Sequence, residues 1–144
     1  MLISCTCTRR TALATIMVAG AAVLVPRGTA ALDDQREFIE AAFRMRDEAV
    51  RAGDQAYGAV IVKDRRIIGF GPSRVMLKKD QTAHAEREAI REAQARLGTM
   101  NLSGAILYSS SRPCPQCEAA ASEASIGRMF YGRDAVDAGK PRRL

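Results

Sequence analysis

Two short clusters limit what this chain can fold into. His84-Ala85-Glu86 and Pro113-Cys114-Pro115-Gln116-Cys117 hold the only histidine and two of the four cysteines, and a β-rich run lies upstream of each. Helical spacing of apolar residues begins at each cluster, so each ligand-type group opens a helix. The fold must therefore bring two helix N-termini to one point. Helices alternating with strands do this, because right-handed crossovers place both motif-bearing helices on one face of a sheet.

The rest of the chain fits that plan. Phe38, Ile39, Ala42, Phe43, Met45, Ala49 and Val50 recur at mostly helical intervals between Asp33 and Arg51, with Asp33 and Asp34 placed to cap a first helix that ends near Gly53. Tyr57 to Val62 and Ile67 to Gly71 flank the charged turn Lys63-Asp64-Arg65-Arg66, which predicts a hairpin. A loop from Pro72 to Asp80 leads to Thr82, the expected N-cap of a second helix that stops at Gly98. Ala105 to Ser109 reads as a third strand, Cys114 to Ala124 as a third helix and Arg128 to Tyr131 as a fourth strand. The segment from Gly132 to Leu144 is polar and basic and reads as a loose tail.

Two thiolates and one imidazole make three protein ligands for zinc and leave one tetrahedral position open to water, which marks a catalytic rather than a structural site. A thiolate at a helix N-terminus beside a dication is favoured as the anion. Glu86, two residues after His84, stands where a carboxylate must be to move protons between an acidified water and the ring nitrogen of an amidine-like base. Separately the two motifs are weak, since a CxxC also serves redox pairs and structural zinc. Together, with Pro113 before the first cysteine, they form the H-x-E…P-C-x-x-C signature of zinc deaminases.

The stretch from Tyr57 to Gly132, with Gly58-Ala59-Val60-Ile61-Val62, Asp80-Gln81-Thr82-Ala83-His84-Ala85-Glu86 and Leu107-Tyr108 before Pro-Cys-Pro-Gln-Cys, resembles the cytidine and deoxycytidylate deaminase superfamily. Guanine deaminases and tRNA adenosine deaminases are the most similar in motif. The resemblance implies a three-layer α/β/α sandwich with a mixed four- to five-stranded sheet, usually dimeric. It also implies zinc on His84, Cys114 and Cys117, with Glu86 as the catalytic proton carrier. It further implies that Tyr57 lies against the base and that a backbone amide at Ala85 or Cys114 lies near the leaving group. Two positions depart from the family pattern: Pro72-Ser73-Arg74 replaces a common Asn, leaving Ser73 as the hydrogen-bonding group, and Arg112 replaces a Glu before Pro-Cys. C-terminal elements look shortened; Asp134 and Asp137 there read as solvated turn carboxylates, with reach to the pocket as the alternative.

At 144 residues and 47% apolar content the chain suits one domain with its own core. The longest apolar run, Ala12 to Val25, falls short of the roughly 20 residues that cross a bilayer. It follows Arg9-Arg10 and precedes Gly28-Thr29-Ala30-Ala31, so residues 1–31 read as an export signal of the twin-arginine type, with the enzyme domain at 32–144 and a periplasmic or secreted location. A retained apolar helix or anchor is the alternative. Cleavage would remove Arg9, Arg10 and Arg27 with no acidic residue, lowering the formal charge from +6 to +3.

These readings predict a zinc-dependent aminohydrolase acting on a nucleobase or nucleoside, with a small-molecule substrate, a homodimeric state, no nucleic-acid partner, and membrane contact only during export. The alternatives are a tRNA adenosine deaminase-like editor and a catalytically silent zinc-containing binding protein.

Overall fold

The computed structural model describes residues 27–144, with side-chain surroundings from Asp33 onward. Helix α1 spans Arg27–Arg51. Strands β1 (Gly58–Lys63) and β2 (Arg66–Pro72) form the expected hairpin. Its two turn residues, Asp64 and Arg65, both take positive φ, 49° and 60°, the turn geometry whose twist matches that of paired strands. A short helix α2 (Val75–Lys78) precedes α3 (Ala85–Leu97), followed by β3 (Ile106–Ser109), α4 (Pro115–Glu123), β4 (Arg128–Tyr131) and β5 (Val136–Gly139).

The five strands lie in the order β2-β1-β3-β4-β5. The β3–β4 pair is parallel and the other pairs are antiparallel, so the sheet is mixed as expected. Alternation along each strand splits the core into two layers. On one face Phe38, Ile39 and Ala41 of α1 pack on Val60, Val62, Tyr108 and Phe130. Tyr108 stands between Phe38 and Phe130, with both ring centroids 5.3 Å away. On the other face Ala85, Ala89, Ile90 and Ala93 of α3 and Ala121 of α4 pack on Ala59, Ile61, Leu107 and Met129. The result is a three-layer sandwich with both motif-bearing helices on one side.

The small residues of that second layer let α3 lie close to the sheet. A Cβ at Gly71 would overlap the Ala85 carbonyl oxygen and crowd the backbone of Ala89. Gly71→Ala is expected to lower stability by about 1–3 kcal/mol through overpacking. The check is a lower denaturant midpoint at unchanged slope.

Several boundaries differ from the sequence reading. The α1 helix begins six residues before Asp33, so Asp33 and Asp34 are interior rather than caps, and the 31/32 boundary falls within the helix. The body of the proposed export signal, residues 1–26, lies outside the described residues. His84, not Thr82, is the N-cap of α3, and the Thr82 hydroxyl instead accepts a hydrogen bond from Arg91 at 3.1 Å. The expected 72–80 loop contains α2, which Asp54 stabilises from a distance by accepting the backbone N–H groups of Met76 and Leu77, each at 2.9 Å.

The tail is not loose throughout: β5 extends the sheet on β4. Asp137 is held there by Arg128 through two hydrogen bonds, 2.6 and 3.1 Å, and Asp134 is exposed in the preceding turn. Neither reaches the cavity described next.

Candidate metal centre and adjoining cavity

His84 and Cys114 occupy equivalent positions, each the N-cap of its helix with extended backbone, φ/ψ of −62°/152° and −73°/164°. An N-cap carbonyl already accepts the first helical bond, here from Glu88 to His84 and from Glu118 to Cys114 at 2.9 Å. Neither side chain folds back to cap its own helix, so both are free to point elsewhere. They point at each other. Cys117, in the first turn of α4, completes the group from a fully buried position.

The sulfur atoms of Cys114 and Cys117 lie 3.6 and 3.4 Å from Nδ1 of His84. Zinc bonds of about 2.3 Å to sulfur and 2.0–2.1 Å to nitrogen, at the tetrahedral angle, separate such donors by about 3.6 Å. The three donor atoms are thus already spaced for one ion, and all lie within 4.8 Å of one another. Burial and the neighbouring Glu86 charge push the Cys117 thiol far up from its ordinary range, so a bound cation is what would make it a thiolate.

Two carboxylates are buried in the first turn of α3, and their surroundings differ. Glu88 is flanked by Lys78 and Arg91, each at 2.5 Å. Glu86, 5% exposed, has no cation within salt-bridge distance among the described residues. It accepts a hydrogen bond from the Ser109 hydroxyl at 3.0 Å, and the buried Cys117 thiol also faces it. A cavity of about 390 Å³ opens beside it, lined by Gln55, Tyr57, His84, Glu86, Ser111, Arg112 and Cys114. That volume lies in the lower part of the range for small-molecule sites.

The sequence-derived candidates divide accordingly. His84, Cys114, Cys117 and Glu86 converge, and Tyr57 lines the cavity with about half its surface exposed. Arg112 lies on the cavity edge, as its place before Pro-Cys implies. Ser73 does not line the cavity: it is buried, and its hydroxyl donates to Asp54 at 2.9 Å. The Ala85 side chain is buried in the α3 layer of the core.

Sequence reasoning passed over Gln55, Ser109 and Ser111. Gln55 precedes β1 in a loop fixed by Asp54. Burial opposes ionisation of Asp54, but hydrogen bonds from the backbones of Leu77, Gln55 and Met76 and from Ser73 outweigh it and hold the carboxyl below its usual range. The signal for Ser109 was a hydroxyl two residues after Leu107, in a row where an apolar residue belongs.

Residues 32–133 match the family model described as the cytidine and deoxycytidylate deaminase zinc-binding region. The chain is similar to guanine deaminase of Bacillus subtilis, 43% identical over 70% of this chain and 65% of that protein. It is also similar to a tRNA-specific adenosine deaminase of Agrobacterium fabrum, 39% identical over 69% of this chain and 65% of that protein. The X-ray structure of the Bacillus subtilis guanine deaminase superposes with a TM-score of 0.65, covering 67% of this chain and 62% of that one. The matches thus span just under two thirds of these relatives.

Proposed function

Because the chain belongs to the cytidine and deoxycytidylate deaminase family, zinc-binding region included, we propose that it hydrolytically deaminates an amino-substituted nucleobase or nucleoside. The observation that carries this reading is that His84, Cys114 and Glu86 line one cavity of about 390 Å³, with Cys117 completing the donor group and no cation on Glu86 among the described residues. Those three side chains hold zinc, and zinc there supplies a Lewis acid that acidifies water. Glu86 takes a proton from the attacking water and places it on the ring nitrogen next to the amino-bearing carbon, then takes the remaining proton from the newly added hydroxyl and gives it to the departing amine. Ammonia leaves and the carbon becomes a carbonyl. Tyr57 supplies an aromatic face for the ring, and Gln55 and Ser111 supply hydrogen-bonding groups at the cavity wall.

The similarity to guanine deaminase supports a purine base as substrate, and the twin-arginine pattern of residues 8–31 supports an extracytoplasmic setting. The test is ammonia release by zinc-loaded protein from the periplasmic fraction, its first residue determined by mass and expected near Leu32. Guanine, adenine, cytosine and their nucleosides form the panel. Turnover of at least one is expected, and silence across the panel with stoichiometric zinc would sink the small-molecule reading. The similarity to the tRNA-specific enzyme supports a second reading, editing of adenosine in RNA, which conversion of a tRNA stem-loop in the same assay would favour.

A further inference from the structure

We propose that Ser109 is the positioning residue for Glu86, fixing which carboxylate oxygen carries the proton. The proposal rests on the reading of Glu86 as proton carrier.

The placement of Ser109 follows from strand geometry. Along β3, Leu107 and Ser109 share the face under α3, while Tyr108 points to α1. Leu107 sits in the apolar layer, and the next residue of that row is a serine only 1% exposed. A buried hydroxyl left without a partner costs about 1–3 kcal/mol. This one is satisfied by donating to Oε1 of Glu86 at 3.0 Å. The adjacent serines do different things: Ser110 accepts the Gly58 N–H at 3.1 Å, and Ser111 lines the cavity.

The contact joins two well-fixed elements. Ser109 pairs with Ala59 on one side and Tyr131 on the other, so its hydroxyl stands on a central strand, not a loop. Glu86 stands in the first turn of α3, which packs on that same sheet. Glu88, two residues on, shows the usual solution for a buried carboxylate, two cations. Glu86 has the Ser109 hydroxyl in their place. A hydroxyl donor restrains the same group without adding charge.

The chemical consequence is a division between the two oxygens. Oε1 accepts the Ser109 hydrogen; the Cys117 thiol also faces the carboxylate, but as a zinc thiolate it would have no hydrogen to donate. Both protons that Glu86 carries therefore pass through Oε2: the first from the attacking water to the ring nitrogen, the second from the newly added hydroxyl to the amine. Ser109 keeps its own proton throughout. Without the tether the carboxylate turns about its last side-chain bond and the proton is offered in the wrong direction; misplacement by about 1 Å in such a step costs on the order of 100-fold.

The experiment is steady-state kinetics of Ser109→Ala and Ser109→Thr, each also built on Glu86→Gln, using a substrate the wild type deaminates. We expect Ser109→Ala to lower kcat by about 10- to 100-fold with KM within about twofold, and Ser109→Thr to recover most of the loss. In the Glu86→Gln background, replacing Ser109 should change turnover less than about twofold, because the two act as one unit. A crystal structure of Ser109→Ala should show the Glu86 carboxylate in more than one orientation. Wild-type kcat in Ser109→Ala, or an equal loss on the Glu86→Gln background, overturns the positioning role alone. Full turnover by Glu86→Gln overturns the role of Glu86 and this proposal with it.

Discussion

Glu86→Gln turns over substrate about a thousandfold more slowly than the wild type, binds zinc at the same stoichiometry and melts within a few degrees of it. Glutamine keeps the length and planarity of the side chain, and its carbonyl oxygen can still accept the Ser109 hydrogen that Oε1 accepts now. It has no proton to take or give. General acid–base transfer by a positioned side chain contributes about 10²–10⁴-fold, and Glu86 serves two such transfers in one cycle. No cation faces Glu86 among the described residues, so losing its charge strands no partner and the fold should persist. Ammonia release under saturating substrate, with metal content measured on the same sample, gives the result. Residual turnover within tenfold of wild type would remove Glu86 from the chemistry and reassign the proton transfers to water or another wall residue.

The division between what could and could not be read from the amino-acid order follows sequence distance. The hairpin about Asp64-Arg65 and the fourth strand at Arg128–Tyr131 are local patterns, and both stand where periodicity puts them. The metal cluster is non-local, with 30 and 33 residues between its partners, yet it was legible because His84 and the CxxC pair each carry an identifying spacing. Elements stabilised only by distant partners were not. Helix α2 depends on Asp54, 22 and 23 residues upstream of the N–H groups it accepts. Strand β5 reads Val-Asp-Ala-Gly, a poor strand by composition, and is held by pairing with β4 and by Arg128 on Asp137. Ser73 looked available for substrate because its place after β2 suggests the site, but Asp54 takes its hydroxyl. Ser109 lay hidden in a run of three serines whose separate partners only the folded chain reveals.

Stripping zinc from the wild type lowers its Tm by roughly 10–20 °C, and Cys117→Ala shows no such zinc-dependent gain. At free zinc a thousandfold above Kd, linkage stabilises the folded state by about 4 kcal/mol, which in a domain of this size corresponds to a shift of that order. The effect should be large at Cys117 because of where it sits. It is fully buried in the first turn of α4, its sulfur 3.4 Å from Nδ1 of His84, and no water can take its place as ligand without opening the core. In metal-free protein the thiol is held neutral by burial and by the Glu86 charge, so it contributes little more than a small apolar group. Metal-free Cys117→Ala and metal-free wild type should therefore melt within a few degrees of each other, and only the loaded proteins should part. The measurement is thermal unfolding with and without a chelator, paired with zinc content. Stoichiometric zinc in Cys117→Ala, with the wild-type gain in Tm, would mean that the ion is held by a different set of ligands, and the tetrahedral spacing of His84, Cys114 and Cys117 would lose its meaning as a zinc site.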